Sequence, residues 1–296
     1  MLARFLPAIL RGILTFLVHI LAILSVGSLV YILGLLKYLI PIKSWQRKCD
    51  RWLNTMPVLW TDINDWGMRL LTQTEIKIIG GENLTRNDWY LLTANHCSWT
   101  DVLILYRVFN HRLPVLKFFM KSQLLWVPIL GWGCWLIGYP FMKRYTKEQI
   151  AKKPSLKGKD LATTKKLCQR FKQMPMTIIS FAEGTRYTAE KAKRQKTPFK
   201  HLLKPRAGGL AYTLMTMEDY LHQFINVTLI YREGRYKYWD YLTGRLKQVV
   251  IIVKTQPINK EMLGDYVNDR EYRVKFQEWL NQLWIEKDKE IDNYWQ

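Results

Sequence analysis

The segment NHCSWTD, residues 95–101, places His96 and Asp101 five positions apart. A histidine beside a carboxylate is a candidate general base. The carboxylate takes one ring N–H, fixes the tautomer and supports the imidazolium. On one straight helix, five residues turn through ~140°, so the pair would not share a face. The local signals offer another geometry. An apolar run ends at Asn95, and His96 falls in the turn that follows. Ser98 suits an N-cap, which makes Asp101 the N3 residue of an S-x-x-D capping arrangement. From the first helical turn its carboxylate faces back toward the imidazole. The plain alternative is a capping box beside a turn histidine. Of five histidines, only His96 has Asp at this spacing.

A second constellation is FAEGTR, 181–186, at the end of the run TIIS. Gly184 permits a sharp turn or the close approach of a ligand. Thr185 and Arg186 suit phosphate, since a guanidinium fork matches its oxygens. Glu183 and Arg186 could equally pair with each other at the mouth of a sheet. A third stretch, GYPFMKR (138–144), reads as a strand delivering Lys143 and Arg144 to the same rim. The chain carries no G-x-S-x-G elbow, P-loop, H-E-x-x-H or G-x-G-x-x-G motif. A His/Asp base without an enzyme nucleophile suits direct attack by a substrate hydroxyl on an activated acyl group.

These groups need a scaffold. TEIKIIGGEN, DWYLLTAN, TIISFAE, FINVTLIY and KQVVIIVKT have strand length and β-branched or aromatic composition. Helical patterns lie between and after them, over 101–109, 157–174, 205–216 and 268–291. Alternation of this kind predicts an α/β fold, a largely parallel mixed sheet flanked by helices. In such a sheet ligands gather at the carboxyl ends of strands, where both NHCSWTD and FAEGTR fall.

Ahead of the α/β region, which spans 73–296, residues 1–72 have a different character. Residues 13–36 hold no charged residue, and ~20 apolar residues cross a bilayer core. The run is too long for a cleaved signal peptide, and no small-x-small site follows it. Lys37, Lys43, Arg47, Lys48 and Arg51 come after it, which by the positive-inside bias puts the catalytic part on the cytoplasmic face. Residues 52–71 carry Trp52, Met56, Leu59, Ile63, Trp66 and Leu70 at helical spacing. They form an amphipathic helix that lies on the bilayer, folds back on the first helix, or simply faces a core. The uncharged stretch 123–142 contains Pro128, Gly131, Gly133, Gly138 and Pro140, so a loop-rich apolar segment is preferred over a second span.

The net charge of +21 calls for an anionic partner: nucleic acid, an anionic bilayer or phosphorylated substrates. No aromatic–basic RNA-binding pattern or zinc-finger spacing supports nucleic acid. Four widely spaced cysteines give neither a disulfide framework nor a zinc site.

Taken in order, NHCSWTD, GYPFMKR, FAEGTR and INVTLIY resemble the four sequence blocks of the PlsC-like 1-acyl-sn-glycerol-3-phosphate acyltransferase family. HLLKPRAGG is similar to a stretch carried by a subset of that family. The chain departs from the family at Ala182, where proline is usual, and lacks the common proline of the fourth block. The resemblance implies transfer of an acyl group from acyl-CoA or acyl carrier protein to the sn-2 hydroxyl of lysophosphatidic acid, giving phosphatidic acid. Other lysophospholipids, such as lysophosphatidylglycerol or lysocardiolipin, would use the same motifs. His96 would take the hydroxyl proton and Asp101 would orient it. Arg144, Glu183, Gly184, Thr185, Arg186 and Lys121 would hold the glycerol-phosphate end. No metal or cofactor is implied, and the partners are the bilayer, the lysophospholipid and the acyl donor. A membrane-tethered basic binding protein with an inactive site is the competing class.

Overall fold

The computed structural model describes residues 5–142, 174–231 and 236–295. The chain opens with a helical hairpin, α1 (Ala8–Leu39) and α2 (Lys43–Leu71). Helix α1 is, among the described residues, the one helix long and apolar enough to cross a membrane. Its Ser25 and Ser28 hydroxyls bond back to the carbonyls of Leu21 and Leu24, both at 2.7 Å, so they need no water. The indole N–H of Trp45 donates to Leu36 O at 3.2 Å and satisfies a terminal carbonyl of α1.

The hairpin is built with its large apolar residues outward. Helix α1 buries Gly12, Thr15, His19, Ala22, Val26, Val30 and Gly34, while Ile13, Leu17, Leu21 and Leu35 are exposed. Helix α2 begins nine residues before the amphipathic stretch read from sequence and buries Cys49, Leu53, Pro57, Thr61, Asn64, Met68 and Leu71. The stripe read from sequence is offset from this face: its Trp52, Leu59 and Trp66 are exposed, as a bilayer-facing stripe would be. Small and hydroxyl-bearing residues let two backbones approach, as in helix pairs that pack within lipid. Gly67 shows how close the approach is, since a Cβ there would stand 2.7 Å from Val18.

After the hairpin come β1 (Glu75–Gly80), β2 (Tyr90–Ala94), α3 (Thr100–Phe109), β3 (Leu116–Phe118) and β4 (Met120–Lys121). They are followed by α4 (Leu130–Ile137), β5 (Phe141–Met142), β6 (Thr177–Phe181), α5 (Ala189–Gln195) and α6 (Gly208–Met217). The chain continues through β7 (Gln223–Tyr231), α7 (Tyr238–Leu242) and β8 (Gln248–Pro257) to the long α8 (Arg270–Trp295). A six-stranded sheet runs in the order β1-β8-β7-β2-β6-β3. Every neighbouring pair is parallel except β7–β8. The expected mixed, largely parallel sheet is therefore present, with β3 added at one edge. The helix expected over 157–174 lies almost wholly outside the described residues.

Each face of the sheet is covered. On one, Ile104, Leu105 and Phe109 of α3 pack with Leu92, Ile179 and Ile225. On the other, Leu210 and Leu214 of α6 and Phe276, Leu280 and Trp284 of α8 pack with Leu91, Ile178 and Phe224. Burial of this apolar area on both faces is what makes the strands continuous hydrophobic runs. The central strand β2 is buried at all five residues.

The apolar stretch 123–142 is not one helix. It divides into a 3₁₀ turn (Ser122–Trp126), α4 and β5, with Gly138 (φ 87°) ending α4. Helix α1 packs on α4 and α7, and α2 packs on α3. Tyr31 on α1 donates to Ile129 O at 3.0 Å. Trp126, Trp132 and Trp135 stay exposed on this segment, beside the outward apolar face of the hairpin.

Candidate active site

Strand register brings the first two motifs together. Ala94 at the end of β2 pairs with Phe181 at the end of β6 on one side and with Val227 of β7 on the other. The chain therefore enters NHCSWTD and FAEGTR from adjoining carboxyl ends. Asn95 ties the first turn to β7: its Oδ1 accepts from Leu229 N at 2.8 Å and its Nδ2 donates to Leu229 O at 3.0 Å.

His96 Nδ1 lies 2.7 Å from Asp101 Oδ2. The same oxygen accepts from the backbone N–H groups of Cys97 (2.6 Å) and Ser98 (2.8 Å), and Oδ1 accepts from the Tyr231 hydroxyl. Asp101 is fully buried. Four donors on one carboxylate offset the cost of burying its charge. An ionised carboxylate only accepts, so Nδ1 carries the ring proton and Nε2 keeps the lone pair. The imidazole stacks on Phe181, with centroids 4.1 Å apart and planes 16° from parallel. It remains 16% exposed.

The local helix start differs in detail from the capping arrangement expected. Helix α3 is capped at Trp99, and Asp101 is its second residue rather than its third. Ser98 Oγ accepts from Thr100 N at 3.2 Å. The carboxylate half of a capping box survives, with Asp101 holding Ser98 N, and the same oxygen serves the histidine.

Glu183 and Arg186 do not pair. Glu183 turns inward and is fully buried, with Oε1 accepting from His96 N and Oε2 from Leu203 N, both at 3.3 Å. Its carboxylate thus holds backbone N–H groups of two separate segments. Burial pushes its carboxyl up to about 8; Asp101 adds to the rise, while the two N–H donors and Lys287 oppose it. Lys287 of α8 is buried below, donating to Val227 O at 2.5 Å, and burial lowers its ammonium to about 7.

Gly184 follows with φ 70°, a conformation in which a Cβ is strained. Tyr187 N then donates to His96 O at 2.8 Å, so the loop is fastened to the histidine turn. Arg186 is exposed and lies over the Trp99 ring, 4.7 Å from its centroid. Thr185 Oγ1 accepts from Lys191 Nζ at 2.8 Å, and Lys191 also donates to Arg186 O at 2.9 Å.

Lys121 is exposed on β4, which pairs with β5 so that Lys121 stands beside Met142. Arg144 lies outside the described residues. The structure thus brings His96, Asp101, Glu183, Gly184, Thr185 and Arg186 into one rim. Tyr231, Phe181, Trp99 and Lys191 join it without having been singled out from sequence. Of these, Tyr231 was visible as the polar end of INVTLIY, but nothing local linked it to Asp101.

The acyltransferase family matches residues 75–217. A 2-acyl-1-lysophosphatidylinositol acyltransferase of Saccharomyces cerevisiae is 26% identical over 68% of this chain and 60% of its own length. A 1-acyl-sn-glycerol-3-phosphate acyltransferase of the same yeast is 32% identical over 42% of this chain and 36% of its own. 1-acyl-sn-glycerol-3-phosphate acyltransferase 3 of Arabidopsis thaliana is 25% identical over 93% and 74%. The chain therefore spans less than two thirds of the two yeast relatives. In fold it is similar to the 1-acyl-sn-glycerophosphate acyltransferase PlsC of Thermotoga maritima, with a TM-score of 0.56, 14% identity and 95% of each chain covered.

Proposed function

Because this chain belongs to the acyltransferase family, with PlsC-like neighbours in sequence and structure, we propose that it acylates a lysophospholipid. The acceptor is the sn-2 hydroxyl of lysophosphatidic acid, and the donor is a thioester, acyl-CoA or acyl carrier protein. The product is phosphatidic acid.

The observation that carries this reading is the 2.7 Å contact between His96 Nδ1 and a buried Asp101 already saturated with donors. His96 Nε2 takes the proton of the acceptor hydroxyl as its oxygen attacks the thioester carbonyl. The tetrahedral intermediate collapses by breaking the C–S bond. The imidazolium then returns its proton to the departing thiolate. Asp101 keeps the ring in one tautomer and stabilises the cation between the two transfers. A thiolate leaves readily, so the chemistry needs no enzyme nucleophile.

Arg186 and Thr185, with Arg144 and Lys121, hold the phosphate; Glu183 and Gly184 shape the loop that presents them. Residues 1–72 anchor the α/β part, 73–296, at the cytoplasmic surface. The outward apolar residues of α1 and α2 and the exposed Trp126 support the anchoring, and the basic residues after α1 favour the cytoplasmic side. A bilayer-bound acceptor and a soluble anionic donor would meet at such a basic surface.

The test is purified protein with a defined acyl-CoA and lysophosphatidic acid, followed by mass spectrometry. Phosphatidic acid forms with wild type and is absent with His96→Ala, whose melting temperature stays near that of wild type. Equal product from both proteins sinks the reading.

A further inference from the structure

Trp99 and Lys191 lie outside both hydrophobic cores. Trp99 is 57% exposed, and Lys191 sits at the edge of a short exposed helix. A cation on the face of a tryptophan is held there by the ring's quadrupole. The Trp99 ring carries the Arg186 guanidinium on its face at 4.7 Å. An unsupported arginine would lose much rotamer freedom on meeting a ligand, and stacking removes part of that loss in advance.

Lys191 acts on the same loop from the other side. Two of its three N–H donors go to Thr185 Oγ1 and Arg186 O, leaving one. Because Thr185 Oγ1 accepts from Lys191, its own proton is left to donate. The lysine is itself placed by Thr188, whose Oγ1 accepts from Lys191 N at 3.2 Å and caps α5. Among the described residues, neither Arg186 nor Lys191 has a carboxylate within ion-pair distance. Two uncompensated cations and one oriented hydroxyl stand on a loop fastened to the His96 turn.

We propose that Trp99 and Lys191 complete the anion subsite begun by Arg186 and Thr185, and that this subsite selects a phosphate monoester over a phosphodiester. A monoester carries close to two negative charges at neutral pH, against one on a diester. Two cations match the first and over-supply the second. The inference rests on the acyltransferase reading and deepens it: the acceptor is a lysophospholipid without a further headgroup on its phosphate.

The experiment uses the full chain in mixed micelles with acyl-CoA. Initial rates are taken against lysophosphatidic acid and lysophosphatidylglycerol. Wild type prefers the monoester. Trp99→Leu and Lys191→Met each raise KM for lysophosphatidic acid ~10-fold, with a far smaller change in kcat, and shrink the preference between acceptors. Trp99→Phe and Lys191→Arg, which keep the aromatic face and the cation, restore most of it. Melting temperatures show whether each variant is folded, and Lys191→Met on the exposed helix carries the test if Trp99→Leu does not fold. Unchanged KM in folded variants, equal losses on both acceptors, or a wild type indifferent to the second ester overturns the proposal. A wild type that acylates no lysophospholipid overturns the acyltransferase reading instead.

Discussion

Tyr231 and Asp101, 130 positions apart in sequence, are joined by a hydrogen bond in which the phenol donates to the carboxylate oxygen that does not touch His96. The last residue of β7 thereby braces the residue that holds the His96 ring. Burial holds the Tyr231 phenol well above its ordinary value, and the adjoining carboxylate adds to the rise, so it stays a donor.

Tyr231→Phe keeps the buried ring and removes only this donor. A hydrogen bond to a buried charge lost in this way lowers kcat ~10-fold. KM for the acceptor stays put, because the phenol does not reach the anion loop. Steady-state kinetics on the folded variant decide it, and an unchanged kcat would show that Asp101 is held adequately by its other three donors.

Asp101→Asn is a harsher change of similar shape. The amide can keep its oxygen on His96 Nδ1, Cys97 N and Ser98 N and turn its NH2 to the Tyr231 hydroxyl, but it carries no charge. The imidazolium then loses its counter-charge, and by analogy with other His–Asp pairs kcat falls ~10³–10⁴-fold. Circular dichroism that matches wild type, together with residual activity above a tenth, would rule out the role given to this carboxylate.

Glu183 gives a pH signature in stability. Its folded value, about 8, lies above the ordinary 4.5. The stabilisation linked to its proton is fully present below pH ~4.5 and is lost as pH rises toward ~8. Lys287 works in the opposite sense: its value falls from 10.5 to about 7, so its share is present above ~10.5 and is lost as pH falls toward ~7. In Glu183→Gln the first dependence vanishes and the second stays. The melting-temperature gap between wild type and variant therefore shifts in favour of the variant between pH 5 and 8. A constant gap across that range contradicts the assignment.

Gly67→Leu tests the hairpin. A side chain there meets Val18 at once, since even a Cβ comes within 2.7 Å. Overpacking of this kind costs ~1–3 kcal/mol, read as a lower melting temperature in detergent. An unchanged melting temperature would mean that α1 and α2 do not pack as described.

Much of this scaffold was legible in the sequence. Runs such as YLLTA and TIISF can satisfy a two-sided buried sheet, and their ends announced where polar chemistry would sit. The spacing of His96 and Asp101 was legible for the same reason. The three-residue β3, LKF, is too short to carry a periodic signal, and nothing in the composition of β8 sets its direction against β7. Periodicity found the stripe of Trp52, Leu59 and Trp66 on α2 but left open what it faces, because a lipid-facing and a core-facing stripe have the same spacing; in the fold these three point outward. Tyr231 and Trp99 escaped notice because their partners, Asp101 and Arg186, are brought near only by strand order.

Glu183 takes its two hydrogen bonds from two different turns, at His96 and at Leu203, and its own loop returns one through Tyr187 to His96. Those turns have no independent thermal life. An opening that frees one amide to exchange with solvent unseats the shared acceptor of the other, so the His96 turn and the loop after Glu183 loosen as one cooperative unit.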